Sequence, residues 1–165
     1  MIEINQFQSP IGSLTLVGVK EGVVRISYEN ESLEELAKWC QKNLGMRNTE
    51  GINITTEAKD QILNYFCGKC KSLDFPIVHI NTPFRKRALE AERNIPYGKT
   101  CSYGELAKMV GCPKAIRAVG SANANNPLPL YYPCHRIINS NGKLGRFGWG
   151  LDVKKWLLNL ESRAH

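Results

Sequence analysis

The run Pro133-Cys134-His135-Arg136 concentrates the chain's most reactive residue types in four positions. A thiolate is the nucleophilic form of cysteine, and an adjacent base or cation favours it. Pro127 and Pro129 stiffen the approach and Pro133 directly precedes the sulfur. On residue types alone two arrangements stand: an activated nucleophile, or a buried structural cysteine beside a surface His-Arg pair. The other five cysteines carry weaker signals. Cys67-Gly68-Lys69-Cys70 is a CxxC, but a structural zinc needs four ligands and no second pair has suitable spacing. His79 and His165 are dispersed, so no metal site is expected. The pair reads as two helix-end thiols, with a redox disulfide or partial metal site as the alternative. Cys101 and Cys112 flank a predicted helix as small packing residues, and Cys40 falls on an apolar helix face.

The elements that must position Cys134 can be read from periodicity and punctuation. The first part of the chain predicts a meander: Ile2 to Phe7, Leu14 to Val19 and Val23 to Tyr28, separated by Ser9-Pro10-Ile11-Gly12 and Lys20-Glu21-Gly22. Ser32 and Glu35 form a capping-box pair for a helix to about Leu44, with Leu33, Leu36, Ala37 and Cys40 on one face. A second helix starts at Thr55 or Thr56, runs through Ile62, Leu63 and Phe66, and stops at Gly68. Phe75-Pro76-Ile77-Val78 reads as a short final strand. Thr82-Pro83 then opens a helix to about Asn94. Ser102 and Glu105 cap a helix through Val110, Gly111-Cys112-Pro113 breaks the chain, and a second short helix covers Lys114 to about Ala122. Helix, Gly-containing turn, helix is the sequence form of a helix-turn-helix, or of an αα-hairpin used only for packing. The expected architecture is α+β, with residues 1–80 a supporting sheet-and-helix domain and residues 81–165 a mostly helical domain.

Charge separates the same two halves. Residues 1–80 carry eight Lys/Arg against ten Asp/Glu, a net of −2; residues 81–165 carry fourteen against five, a net of +9. A polyanion partner such as nucleic acid, or a basic solvated surface, accounts for this. Lys108, Lys114 and Arg117 on or near the paired helices favour DNA. The N-terminus has no basic n-region or apolar h-region, so no secretory signal is expected. No apolar run approaches the roughly 18 residues of a membrane helix. Six sparse cysteines without such a signal suggest reduced thiols. The expected location is the cytoplasm, or the nucleus in a eukaryote.

Beyond these patterns the chain resembles the 6-O-alkylguanine-DNA alkyltransferases. The resemblance covers nearly the whole chain and is strongest over residues 83–161. It rests on Ile95-Pro96-Tyr97-Gly98-Lys99-Thr100, Ser102-Tyr103-Gly104-Glu105-Leu106-Ala107, Lys114-Ala115-Ile116-Arg117-Ala118-Val119-Gly120, Asn126-Pro127-Leu128-Pro129, Pro133-Cys134-His135-Arg136, and Lys154 to Glu161. It implies a ribonuclease-H-like first domain and a winged helix-turn-helix second domain. It also implies single-turnover transfer of an alkyl group from 6-O-methylguanine, and from 4-O-methylthymine, in double-stranded DNA to Cys134. By the same resemblance His135 is the base, acting through a water, Glu161 orients it, Asn126 braces the turn and Arg136 gives structural support. Arg117 enters the base stack and Tyr103 pushes the adjacent phosphate, so that the lesion is flipped out. Lys114, Ala118 and Ser121 face the DNA; Tyr103, Pro129, Ile137, Phe147, Gly148 and Trp149 form the substrate pocket. No cofactor is implied, and the protein is expected to act as a monomer.

Two departures touch the pocket. Phe147 stands where many members have Tyr, which removes a hydroxyl, and Trp149 stands where many have Gly. The indole either excludes large alkyl groups such as benzyl or packs against the loop's outside. Non-catalytic alkyltransferase-like proteins share these segments but lack the cysteine, and a helix-turn-helix regulator gives Pro-Cys-His-Arg no role. The presence of Cys134 with His135, Glu161 and Asn126 favours catalysis.

Overall fold

Alternation of apolar side chains makes three strands of the first eighty residues, and sparse turn residues keep them adjacent. In the computed structural model, which describes residues 2–45 and 53–163, these are β1 (Glu3–Ser9), β2 (Gly12–Val19) and β3 (Gly22–Tyr28). They form an antiparallel sheet in the order β1-β2-β3. The central strand is covered on both faces. Val17 and Val19 pack with Leu36 and Cys40 of α1 (Leu33–Leu44). On the opposite face a side chain at Gly18 would collide with Ile54 and Thr55, at the start of α2 (Thr55–Phe66). The Ser32–Glu35 capping box is present at α1. The buried face differs from the expected one: Leu33 and Ala37 are exposed, and Trp39 and Leu44 flank Leu36 and Cys40 instead. The Arg25 guanidinium lies 4.7 Å above the Trp39 indole.

The expected strand at 75–78 is only a single bridge, Ile77 to Val23 in parallel. The Val23 N–H donates to the Pro76 carbonyl and the Val78 N–H to the Val23 carbonyl, and Pro76 has no N–H to extend the ladder. Gly22 makes the approach possible: its φ is +155° and a Cβ there would lie 2.7 Å from the Pro76 backbone.

The division between units falls at Ile80/Asn81. The second begins with α3 (Pro83–Glu92), capped by Thr82 with Pro83 in its first turn. Its end comes two residues before the expected Asn94. Arg93, Asn94 and Ile95 donate instead to carbonyls three residues back, a tightened last turn before Pro96. β4 (Cys101–Ser102) leads into α4 (Tyr103–Met109), whose Ser102–Glu105 capping box is formed. After the Gly111 break comes α5 (Ile116–Ala124), shifted two residues C-terminal of the expected helix. The Ala115 N–H is taken by Cys112, so the turn runs further before the helix starts. A 3₁₀ turn at Cys134–Arg136, β5 (Ile137–Ile138) and α6 (Leu151–Ser162) complete the unit. Ala88, Leu106, Ala107, Val119, Ala122 and Ile137 share its core. The fold is therefore the expected α+β, a sheet-and-helix domain followed by a mostly helical one. No helix among the described residues is long and apolar enough to cross a membrane. His165 lies outside the described residues.

Candidate active site

Asn126 organises the turn that presents Cys134. Its Oδ1 accepts from the Leu128 N–H at 2.9 Å and its Nδ2 donates to the Tyr132 carbonyl at 3.1 Å, spanning the proline segment. Within that segment Leu130 takes φ +75°, the one non-glycine residue at positive φ among those described. The Cys134 and Arg136 N–H groups then close the turn onto Tyr132 and Pro133. With three residues per 3₁₀ turn, successive side chains leave in directions about 120° apart. His135 and Arg136 nevertheless both reach Glu161, in the last turns of α6.

Glu161 is fully buried and densely bonded. His135 Nε2 lies 2.7 Å from its Oε2. The Arg136 guanidinium grips both oxygens, Nε to Oε1 at 2.8 Å and Nη2 to Oε2 at 2.9 Å, and its Nη1 donates to the Ile95 carbonyl. The Gly98 N–H adds a bond to Oε1 at 3.2 Å; Gly98 sits at φ +80°, and a Cβ there would press to 3.2 Å from the Glu161 carbonyl. Burial pushes the Glu161 carboxyl up, but the bonds from His135 and Arg136 outweigh it and hold it well below the usual carboxylate range. Burial pulls His135 down, against the attraction of Glu161. The resting imidazole is thus neutral, with its Nε2–H given to an acceptor-only carboxylate. That leaves the Nδ1 lone pair as the basic site.

On residue types alone His135 and Arg136 could activate Cys134 or form a surface pair; both side chains are buried and bond Glu161. Cys134 is 4% exposed. Burial, then the Glu92 carboxyl, pushes its thiol up to about 12, against a hydrogen bond with Asn126 and the charge of Lys154. The resting acceptor is a neutral thiol.

The parallel pairing of Cys101 with Ile137 and Ser102 with Ile138 brings the start of α4 beside the segment after Cys134. Tyr103 is half-buried there. Burial raises its hydroxyl, and a hydrogen bond with Asn123 lowers it. Lys114, Arg117, Ala118 and Ser121 are all exposed around α5, and the Ser121 hydroxyl accepts from Arg85 at 3.4 Å. A 380 Å³ cavity opens beside Tyr103, lined also by Gly104, Ile116, Asn139, Ser140 and Asn141. Of the expected pocket residues Tyr103 is among its walls, and Pro129, Ile137, Phe147, Gly148 and Trp149 are not. Pro129 and Ile137 are buried behind the site, Phe147 is half-buried and Gly148 exposed. Trp149 is 8% exposed and packs edge-on against Phe147, ring centroids 5.9 Å apart.

Two buried charged residues escaped the sequence reading as such, Glu92 and Lys154, both 0% exposed. Their signal was present: Glu92 continues the Ala88-Leu89 stripe of α3, and Lys154 shares a stripe with Leu157 and Glu161 on α6. A charge on an apolar stripe is a buried charge. Among the described residues no cluster of His, Cys, Asp and Glu is arranged for a metal. All six cysteines are free; Cys67 is exposed and Cys70 half-buried, while Cys40 and Cys101 are buried packing residues.

Two family models match the chain: the 6-O-methylguanine DNA methyltransferase ribonuclease-like domain over residues 5–78, and the DNA binding domain of the same family over 83–163. The chain is 41% identical over 157 residues to a methylated-DNA–protein-cysteine methyltransferase of Methanosarcina acetivorans, covering 94% of this chain and 95% of the relative. It is 37% identical over 155 residues to the constitutive methylated-DNA–protein-cysteine methyltransferase of Bacillus subtilis, covering 93% and 92%. Among solved structures it is similar to Mycobacterium tuberculosis OGT in complex with DNA, with a TM-score of 0.85 and 34% identity over 98% of this chain and 94% of the other.

Proposed function

The chain belongs to the 6-O-methylguanine DNA methyltransferase family, and on that premise we propose how its own residues divide the work. The protein repairs DNA directly, moving the alkyl group from 6-O-methylguanine to an active-site cysteine, once per molecule. Its partner is double-stranded DNA.

Cys134 is the acceptor. Its proton passes toward the His135 Nδ1, through a water, and the resulting imidazolium is stabilised by Glu161 at 2.7 Å on the opposite nitrogen. Arg136 keeps Glu161 ionised and fixed, so that the imidazole cannot rotate out of line. The sulfur attacks the alkyl carbon; the carbon–oxygen bond breaks and the purine leaves as an anion that takes up one proton. Tyr103 is placed to supply hydrogen bonding to the base. A thioether is a very poor leaving group, so nothing restores the thiol. Arg117 fills the stack when the nucleotide is extruded, and Lys114, Ala118 and Ser121 lie along the DNA. In this scheme the helix that carries Arg117 docks in the minor groove, which suits a protein that must search every sequence, since that groove carries little base information. The same scheme admits 4-O-methylthymine, has the protein acting as a monomer, and places it in the cytoplasm or a nucleus.

The observation that carries this assignment is the buried His135–Glu161–Arg136 array directly behind a buried Cys134. Intact-protein mass after mixing with a duplex carrying one 6-O-methylguanine, followed by peptide mapping, tests it. One added methyl group on Cys134, with no second turnover, is expected. Tight lesion binding without a mass change would instead indicate a damage-sensing protein, and methyl on Cys101 or Cys112 would relocate the site.

A further inference from the structure

Tyr132 lies two residues before the acceptor, wholly buried, and its backbone anchors the turn. Its carbonyl accepts from the Cys134 N–H at 2.7 Å and from the Asn126 Nδ2 at 3.1 Å, and its N–H donates to the Leu128 carbonyl at 3.0 Å. A phenol in such an interior is costly unless its hydroxyl is bonded. The Tyr132 hydroxyl reaches α3, where it donates to the Glu90 Oε1 at 3.1 Å. Three residues further along α3 the Arg93 guanidinium covers the Tyr131 ring, 3.8 Å from its centroid, and its Nη1 donates to the Tyr131 carbonyl at 3.4 Å. Positions three apart share one side of a helix. The two tyrosine rings meet edge to face, centroids 5.0 Å apart. Two neighbouring residues of the acceptor segment are thus fastened to one side of α3.

The segment held in this way is strained. Leu130 sits at φ +75°, in the left-handed region that favours glycine, and such a residue persists only where its surroundings fix it. The side-chain bonds of Asn126 tie the segment to itself, whereas Glu90 and Arg93 tie it to a helix whose Ala88 lies in the core. We propose that Glu90, acting through the Tyr132 phenol, is a positioning residue that fixes the Cys134 sulfur for attack. The inference rests on the acceptor role given to Cys134. Displacement at carbon needs the sulfur, the carbon and the leaving oxygen in line, and a misplacement of about 1 Å costs about 100-fold in rate. The Tyr132 carbonyl holds the Cys134 amide, so a turn that slips at Tyr132 carries the sulfur with it. Burial, then the Glu90 carboxylate, pushes the phenol well above its usual range, which keeps it a donor.

The test is single-turnover methyl transfer from a duplex carrying one 6-O-methylguanine, over a series of protein concentrations that separates the limiting rate from half-saturation. Tyr132→Phe removes one oxygen and should lower the limiting rate about tenfold, with half-saturation unchanged because the exposed face of α5 is untouched. Glu90→Leu should lose as much. Glu90→Gln, whose amide oxygen still accepts from the phenol, should restore most of it. Tyr132→Phe with Glu90→Leu should be no slower than either alone. A bond that only adds stability would lower the urea midpoint and leave the limiting rate alone. An unchanged limiting rate in Tyr132→Phe, or losses that multiply in the double variant, overturns the proposal. Should Tyr132→Phe not fold, equal rates in Glu90→Leu and Glu90→Gln do so. Iodoacetamide labelling of Cys134, read by peptide mass mapping, needs no DNA and should be about tenfold faster in Glu90→Leu than in Glu90→Gln. That difference in a chain that never accepts methyl from DNA would sink the repair assignment and keep the positioning one. Equal labelling and equal transfer in a chain that repairs normally would sink the positioning assignment alone.

Discussion

Residue types at the site matter less than where each side chain is turned. His135 and Arg136 flank the acceptor in sequence, yet their hydrogen bonds run to Glu161 and leave the sulfur to Asn126, Glu92 and Lys154. Adjacency along the chain therefore misleads about electrostatics: what counts is which partner each side chain reaches. Trp149 poses a similar question of direction. Its indole is buried against Phe147, on the loop that carries the departures from the family pattern. If it narrows the entrance for large alkyl groups, Trp149→Gly should react with 6-O-benzylguanine about tenfold faster, while repair of the methylated duplex changes little. Labelling no faster than the wild type would mean that the indole only supports the loop.

At the level of elements, local signals located most of the helices and capping explains why. Ser32–Glu35, Thr82–Pro83 and Ser102–Glu105 each satisfy orphan N–H groups by side chains that can be read directly, and all three form. Elements set by tertiary pairing were legible only in part. The 75–78 segment has strand composition, but Pro76 and the close approach at Gly22 reduce it to one bridge. The start of α5 was misplaced by two residues because no side chain caps it. At the site, Cys134 and its neighbours were visible through motif spacing. Glu92 was not, since a carboxylate on a helix is usually solvated and only its place on an apolar stripe distinguishes it. The exposed face of α5 leads to a prediction of its own. Arg117→Ala should slow repair in duplex DNA by about 100-fold, a loss of about 3 kcal/mol, and leave reaction with the free base nearly unchanged. Equal losses on both substrates would remove Arg117 from nucleotide flipping.

For the molecule as a whole, the buried charges make stability depend on pH with opposing signs. Glu161 is held below its usual range and His135 below its own, so both bind fewer protons folded than unfolded. Their contributions are present near neutrality and are lost as pH falls, first below about 6.5 and then below about 4.3. Burial raises Glu92, against the attraction of Lys154, so it binds more protons folded, and its contribution is lost as pH rises above the usual carboxyl range. The Glu92→Gln variant should therefore lose more unfolding free energy between pH 7 and pH 4 than the wild type does. Urea unfolding at a series of pH values checks this, and parallel curves would show that Glu92 titrates as an ordinary surface carboxyl. One further feature governs behaviour above the scale of a single chain. The site holds one buried sulfur, and its product is a thioether. The response to rising damage is then a corner and not a saturating curve. Lesions fewer than the unmodified chains are erased, those in excess persist, and the dose at the corner reads out the number of protein copies in the cell.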